Sequence, residues 1–146
     1  MAQFTMSKEE RETFLAGVHV GVLSVADGAG QAPVQAPVWY AYEPGGDVRF
    51  TTGANSEKAR LLRASGRASL CVQTETAPYS YVVVEGTVRI EEPDLERDAV
   101  AIAQRYLGER GGKAYVGSRT QEEMRRDSIL VRITPERWRT TDYGKR

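Results

Sequence analysis

The chain has 146 residues, 40% hydrophobic and 27% charged, which suits one soluble domain (residues 1–146) built on a single core. Its 20 basic and 20 acidic side chains cancel without a long run of either sign, which argues against charge-driven binding to nucleic acid or a membrane surface. One cysteine, Cys71, and one histidine, His19, exclude an internal disulfide, a C-x-x-C pair and a His cluster, so no metal site is expected.

MAQFTMSKEE carries no apolar signal core and no segment approaches membrane-spanning length, so the default expectation is a cytoplasmic protein. Ser7-Lys8-Glu9-Glu10 reads as a capping box that opens a short helix to about Ala16. HVGVLSVA (19–26) is a first strand, closed by the turn residues Asp27-Gly28-Ala29-Gly30. APVQAPVWYAYE (32–43) is a second, and Pro33 and Pro37 suggest an edge, a bulge or a start of pairing, because proline donates nothing to a ladder. Pro44-Gly45-Gly46 turns the chain into a third strand, DVRFTT.

Ser56 opens a helix to about Ala64, Ser65-Gly66 stops it, and residues 67–74 form a fourth strand. SYVVVEGTVRIE (80–91) alternates: Val82, Val84, Gly86, Val88 and Ile90 share one face, and Tyr81, Val83, Glu85, Thr87 and Arg89 the other. Pro93 and Asp94 start a helix with Ala99, Ile102, Ala103 and Tyr106 at helical spacing, which Gly111-Gly112 is expected to break. A charge-dense, partly helical stretch follows, with 119–127 read as a solvated face. SILVRIT is the last strand, followed by PERWRTTDYGKR. Six strands with short connections describe a mainly β fold, a small antiparallel barrel with peripheral helices.

The segment TTGANSEKARLLR (51–63) raises a question of function. A helix N-terminus offers free N–H groups and a positive dipole end. The Ser56 hydroxyl and the Lys58 cation in its first turn would make it an anion site. The plainer reading is that Ser56 caps the helix, Glu57 complements the dipole and Lys58 points to water.

The order of features bears on that choice. PVWY (37–40), FTT (50–52), SEK (56–58), RASLCV (67–72), VVEGTV (83–88) and ITPERW (133–138) follow one another along nearly the whole chain. In this order the chain resembles the pyridoxamine-phosphate-oxidase-like flavin-binding split-barrel superfamily. The resemblance implies a six-stranded antiparallel split β-barrel of the FMN-binding type. It also implies a homodimer with two cofactors in grooves between the subunits. By position, Ala36, Pro37, Val38 and Trp39 would run beside the cofactor ring. Thr51 and Thr52 would meet the ring edge and ribityl chain, and Ser56 and Lys58 would hold the phosphate. Tyr81 matches a ring-contacting position, and Trp138 an aromatic that reaches across the dimer.

The oxidases proper carry Arg-Lys after the serine, whereas this chain has Glu57-Lys58. A carboxylate beside a phosphomonoester is unfavourable unless it points away; Arg60 and Arg63 would partly compensate. The long basic C-terminal tail of the oxidases is also missing, so oxidation of vitamin B6 is not expected. Ser56-Glu57-Lys58-Ala59 and the ending Trp138 to Lys145 are similar to the actinobacterial branch that uses the deazaflavin coenzyme F420. That resemblance implies an F420-dependent oxidoreductase that passes hydride to a planar conjugated small molecule. Trp39, Tyr40, Val38 and Tyr79 are candidates for the substrate wall, and no catalytic residue is singled out. The alternatives are an FMN-dependent oxidoreductase of the same fold, or a carrier that binds flavin, deazaflavin or haem without catalysis. His19 is read as structural rather than as a haem ligand, and Cys71 as a small buried apolar group. Trp138 has a plain alternative as a cap over the end of the barrel.

Overall fold

The computed structural model describes residues 2–145. Its strands are β1 (Gly21–Val25), β2 (Val34–Val38), β3 (Val48–Gly53), β4 (Arg67–Gln73), β5 (Ser80–Glu91) and β6 (Ser128–Asp142). They pair antiparallel in the order β2-β1-β4-β5-β6-β3, so β2 and β3 are the two edges. Beyond β2 the chain meets β3 again at Ala41, which exchanges backbone hydrogen bonds of 2.9 and 3.0 Å with Arg49. The sheet therefore curls into a split barrel, mainly β with helices outside it.

The alternation of β5 sets the inside and outside. Val82, Val84 and Gly86 are buried, while Tyr81, Val83 and Glu85 lie on the outer face. Cross-strand partners keep that parity, with Leu70 opposite Val84 and Cys71 opposite Val83. Leu23, Val25, Phe50, Leu70, Val72, Val131 and Ile133 fill the interior. Leu15 of α1 (Lys8–Ala16) and Leu61 and Leu62 of α2 (Glu57–Ser65) join that core. The expected capping box starts α1: the Ser7 hydroxyl accepts from the Glu10 N–H at 3.1 Å, and the Glu10 carboxylate accepts from the Ser7 N–H at 2.7 Å.

Three boundaries differ from expectation. The second strand leaves its ladder at Trp39, because Tyr40 turns into the core and its N–H goes to the Tyr106 hydroxyl at 3.1 Å. The last strand does not stop at Thr134 but runs on to Asp142 through Pro135. A register shift after Glu85 sets Gly86 opposite Pro135, so the proline sits at a bulge, where the ladder is already interrupted. The backbone passes so close there that a Cβ on Gly86 would collide with the Thr134 carbonyl. Third, the break in the long helix α3 (Ala101–Val116) falls at Gly108, whose φ of 81° suits glycine, and not at Gly111-Gly112. Gly112 is instead packed against Gln104, with no room for a Cβ.

A π-helical turn (Leu95–Val100), α3 and α4 (Gln121–Asp127) form a layer over the outer side of β3 and β6. Met124 of α4 and Leu130 of β6 are buried beneath it. Most of 119–127 is exposed, as expected of a solvated face, but Met124 is core. Among the described residues no helix is long and apolar enough to cross a membrane.

Candidate functional site

A groove of about 420 Å³ opens between the two sheet edges and the helical layer. That volume is in the range of small-molecule sites. Pro37, Val38 and Trp39 line it from the end of β2, Thr51 and Thr52 from β3, and Lys58 from the first turn of α2. The opposite wall comes from the helical layer: Asp98, Ala99, Ile102, Ala103, Tyr115, Val116, Arg119 and Met124.

The corner that carries Lys58 is held from several sides. The Ser56 hydroxyl accepts from the Ala59 N–H at 3.1 Å and donates to the Gly53 carbonyl at 2.8 Å. The Ala54 N–H donates to the Asp127 carbonyl at 2.8 Å, and Arg63 donates to the Ala54 carbonyl at 2.9 Å. Ser56 is therefore the helix cap, as in the plainer reading. Lys58 departs from that reading. It is half-buried in the groove wall, and among the described residues it has no hydrogen-bond or ion-pair partner. A half-buried ammonium without a counter-ion attracts an anion.

Asp98 does not oppose that attraction. Its side chain is fully buried and accepts from Arg97 Nε at 2.8 Å, from Arg97 Nη2 at 2.6 Å and from the Asp94 N–H at 2.8 Å. Burial alone would raise its pKa. The Arg97 fork, the Asp94 N–H and the Arg49 charge 3.7 Å away outweigh burial and hold it below the ordinary carboxylate value.

Also in the lining, Trp39 stacks on Tyr106 with ring centroids 4.9 Å apart and 8° between planes. Tyr115 lies tilted against it at 5.2 Å. The Tyr106 hydroxyl donates to the His19 carbonyl at 2.6 Å, and burial pushes its pKa up. The indole is thus fixed in the groove lining by a tyrosine that is itself tied to two loops.

Pro37, Val38, Trp39, Thr51, Thr52 and Lys58 thus meet in one groove. The remaining candidates lie elsewhere. Ala36 faces inward opposite Leu23, and Ser56 caps α2. Arg60 is exposed and pairs with Glu57 at 3.9 Å, and Arg63 holds the turn, so neither compensating cation lines the groove. Glu57 is itself exposed and lies outside the groove lining, so it does not crowd an anion there. Tyr81 stands on the outer face of β5.

Tyr40 cannot be a substrate wall: it is fully buried and its hydroxyl donates to the Leu15 carbonyl at 2.6 Å. Tyr79 is exposed but lies in the loop before β5, outside the groove. Trp138 points inward, edge-on to Tyr42 at 6.4 Å and under the Arg11 guanidinium at 4.6 Å, so it caps the barrel rather than reaching out of it. His19 stacks on Phe14, its Nε2 sits 3.0 Å from the Phe14 carbonyl, and burial lowers its pKa, in keeping with a structural role. Cys71 is half-buried on the outer face rather than in the core, and burial raises its pKa, so the thiol is not activated.

Sequence reasoning missed the helical wall. Ala99, Ile102 and Ala103 showed helical spacing, but nothing in that spacing says that one face closes a groove. Arg119 was hidden in a charged stretch, and Tyr115 lies beyond a helix break that was placed at the wrong glycine.

With this geometry in place, comparison with known proteins fixes the family. A family model described as pyridoxamine 5'-phosphate oxidase matches residues 7–142. The chain belongs to that family. Among solved structures, the conserved hypothetical protein Rv2991 of Mycobacterium tuberculosis is 29% identical at a TM-score of 0.80, covering 99% of this chain and 90% of that one. A protein described as an F420 reductase is 22% identical at a TM-score of 0.68, with 88% and 94% covered. The FAD- and heme-binding protein of Mycobacterium smegmatis is 17% identical at a TM-score of 0.70, with 96% and 73% covered. No curated protein matches. The fold is therefore shared with an F420 reductase and with an FAD- and heme-binding protein.

Proposed function

We propose that the groove binds coenzyme F420 and that the chain is a deazaflavin-dependent reductase of planar conjugated small molecules. The observation that carries this reading is the half-buried, unpaired Lys58 in a groove that is also lined by a fixed Trp39. The cation suits a phosphate and the indole a flat ring. The similarity to an F420 reductase supports the choice of ring. F420, when bound, supplies the hydride chemistry.

The chain's own residues bind and orient. Lys58 attracts the phosphate, Thr51 and Thr52 offer hydroxyls along the groove, and the β2 end from Pro37 to Trp39 gives the ring a rigid edge. Ile102, Ala103, Val116 and Met124 give the opposite wall an apolar part that would keep water from the reacting face. Trp39 stays in the wall for a planar substrate, and Tyr115 takes the place of Tyr40 and Tyr79.

The working unit in this reading is a homodimer. On the outer face Pro37, Val22, Cys71 and Val83 stand side by side across four strands, and Val18 and Val20 extend the apolar surface beside them. Pairing these faces would bury that strip and let Tyr81 approach a partner's groove.

FMN remains the second reading for one reason. Glu57 lies outside the groove lining, so the carboxylate does not count against a phosphomonoester there. The test is an anaerobic assay of reduced F420 with quinone and enone acceptors, alongside reduced FMN. Turnover with reduced F420 is expected. Binding without turnover would make the protein a carrier, and turnover with reduced FMN alone would make the second reading correct.

A further inference from the structure

Arg119 has no role in the reading above. It lines the same groove as Lys58 but comes from the opposite wall, in the short link between α3 and α4. Its Nη2 donates to the Ser128 hydroxyl at 2.9 Å, which leaves the rest of its fork free of any hydrogen-bonded side chain among the described residues. Asp127 feels the Arg119 charge, but its carboxylate is held by Arg126 at 2.9 and 3.1 Å, and Arg119 has no ion pair among the described residues.

The topology brings Arg119 to the Lys58 corner. Its anchor Ser128 is the first residue of β6 and pairs in register with Gly53. Gly53 opens the turn that ends in Ser56 and Lys58, and the next residue, Ala54, is tied to the Asp127 carbonyl. One hydrogen-bonded junction therefore supports both cations. Two unpaired cations facing one cavity from separate elements repel each other unless an anion lies between them.

We propose that Lys58 and Arg119 together form the phosphoryl site of the groove, with Arg119 supplying its second cation from the helical layer. The assignment rests on the groove being a cofactor site. Its ligand class is a phosphoryl group linked to a flat ring, as a monoester or an internal diester. Arg119 offers a planar fork to two phosphate oxygens, and Lys58 adds a point charge from the other side.

The experiment is a fluorescence titration of the wild type, Arg119→Ala, Arg119→Lys and Lys58→Ala. The ligands are F420, FMN and two phosphate-free counterparts, riboflavin and the deazaflavin riboside. Arg119→Ala is expected to weaken the phosphate-bearing ligands about 10-fold or more and the phosphate-free ones less than about 2-fold. Arg119→Lys, which keeps the charge but not the fork, should fall between, and it carries the test if the alanine variant does not fold by circular dichroism. F420 and FMN losses compared with each other distinguish a diester from a monoester site. Unchanged affinity for phosphate-bearing ligands in Arg119→Ala, with a loss in Lys58→Ala, would overturn the two-cation site and leave the cofactor reading intact. If the wild type binds neither ring, calorimetry with inorganic pyrophosphate decides. Binding that disappears in Arg119→Ala keeps the anion site and removes the cofactor reading, and no binding overturns both.

Discussion

Replacing Asp98 by Asn should unsettle the turn that begins the groove's helical wall. The carboxylate is fully buried, accepts three hydrogen bonds and faces Arg49 across 3.7 Å. Asn keeps the shape but offers one acceptor oxygen and turns an NH₂ toward a donor that it cannot satisfy. Two charge-assisted bonds at about 1.5–3 kcal/mol each set the gross loss. Removing a buried charge recovers part of its desolvation cost, so the expected net loss is about 3 kcal/mol. Urea unfolding at neutral pH reads this directly as a lower midpoint at unchanged slope.

The pH dependence carries its own sign. The folded pKa of Asp98 lies below its unfolded value, so its stabilisation is complete above the unfolded pKa of about 4 and is lost as pH falls through the folded value. The wild type should therefore lose its advantage over Asp98→Asn on acidification below about pH 4. A variant within about 0.5 kcal/mol of the wild type at pH 7, with a parallel acid profile, would refute the claim that this carboxylate holds the turn together.

Three further substitutions test separate statements. Glu57→Arg should change affinity for F420 or FMN by less than about 2-fold, because the side chain lies outside the groove lining; a 10-fold gain for FMN in the same titration would show that position 57 does reach the phosphate. Tyr40→Phe removes the 2.6 Å bond to the Leu15 carbonyl and should cost about 1–2 kcal/mol in thermal or urea unfolding, with cofactor affinity unchanged; a large loss of affinity would return Tyr40 to the site. Gly86→Ala forces a methyl into the Thr134 carbonyl and should cost at least about 3 kcal/mol or prevent folding, read by circular dichroism; a near-neutral variant would mean that the bulge opens easily.

The parts of the fold that were legible in sequence are those where a local rule acts alone. The capping box at Ser7, the period of two in residues 80–91 and the edge prolines of β2 each follow from chemistry within a few residues. Pro135 misled because a proline normally ends a strand, and only its pairing opposite Gly86 shows how the strand absorbs it. The helix break misled because Gly108, Gly111 and Gly112 look equivalent until one adopts a positive φ and another is pressed against Gln104. In the site, residues from β2, β3 and α2 were legible through the resemblance. Arg119 and Tyr115 were not, because a wall made by a layer docked on the far side of the groove leaves no trace in local spacing. Adjacent Trp39 and Tyr40 were known to face opposite ways, and only packing shows that Tyr40 took the core.

The most direct measurement is a fluorescence titration of the purified protein with F420 and with FMN. The expected result is saturable binding of F420, tighter than that of FMN and weakened by Lys58→Ala. Tighter binding of FMN would move the protein to the flavin reading, and failure of both to bind would contradict the claim that this groove is a cofactor site.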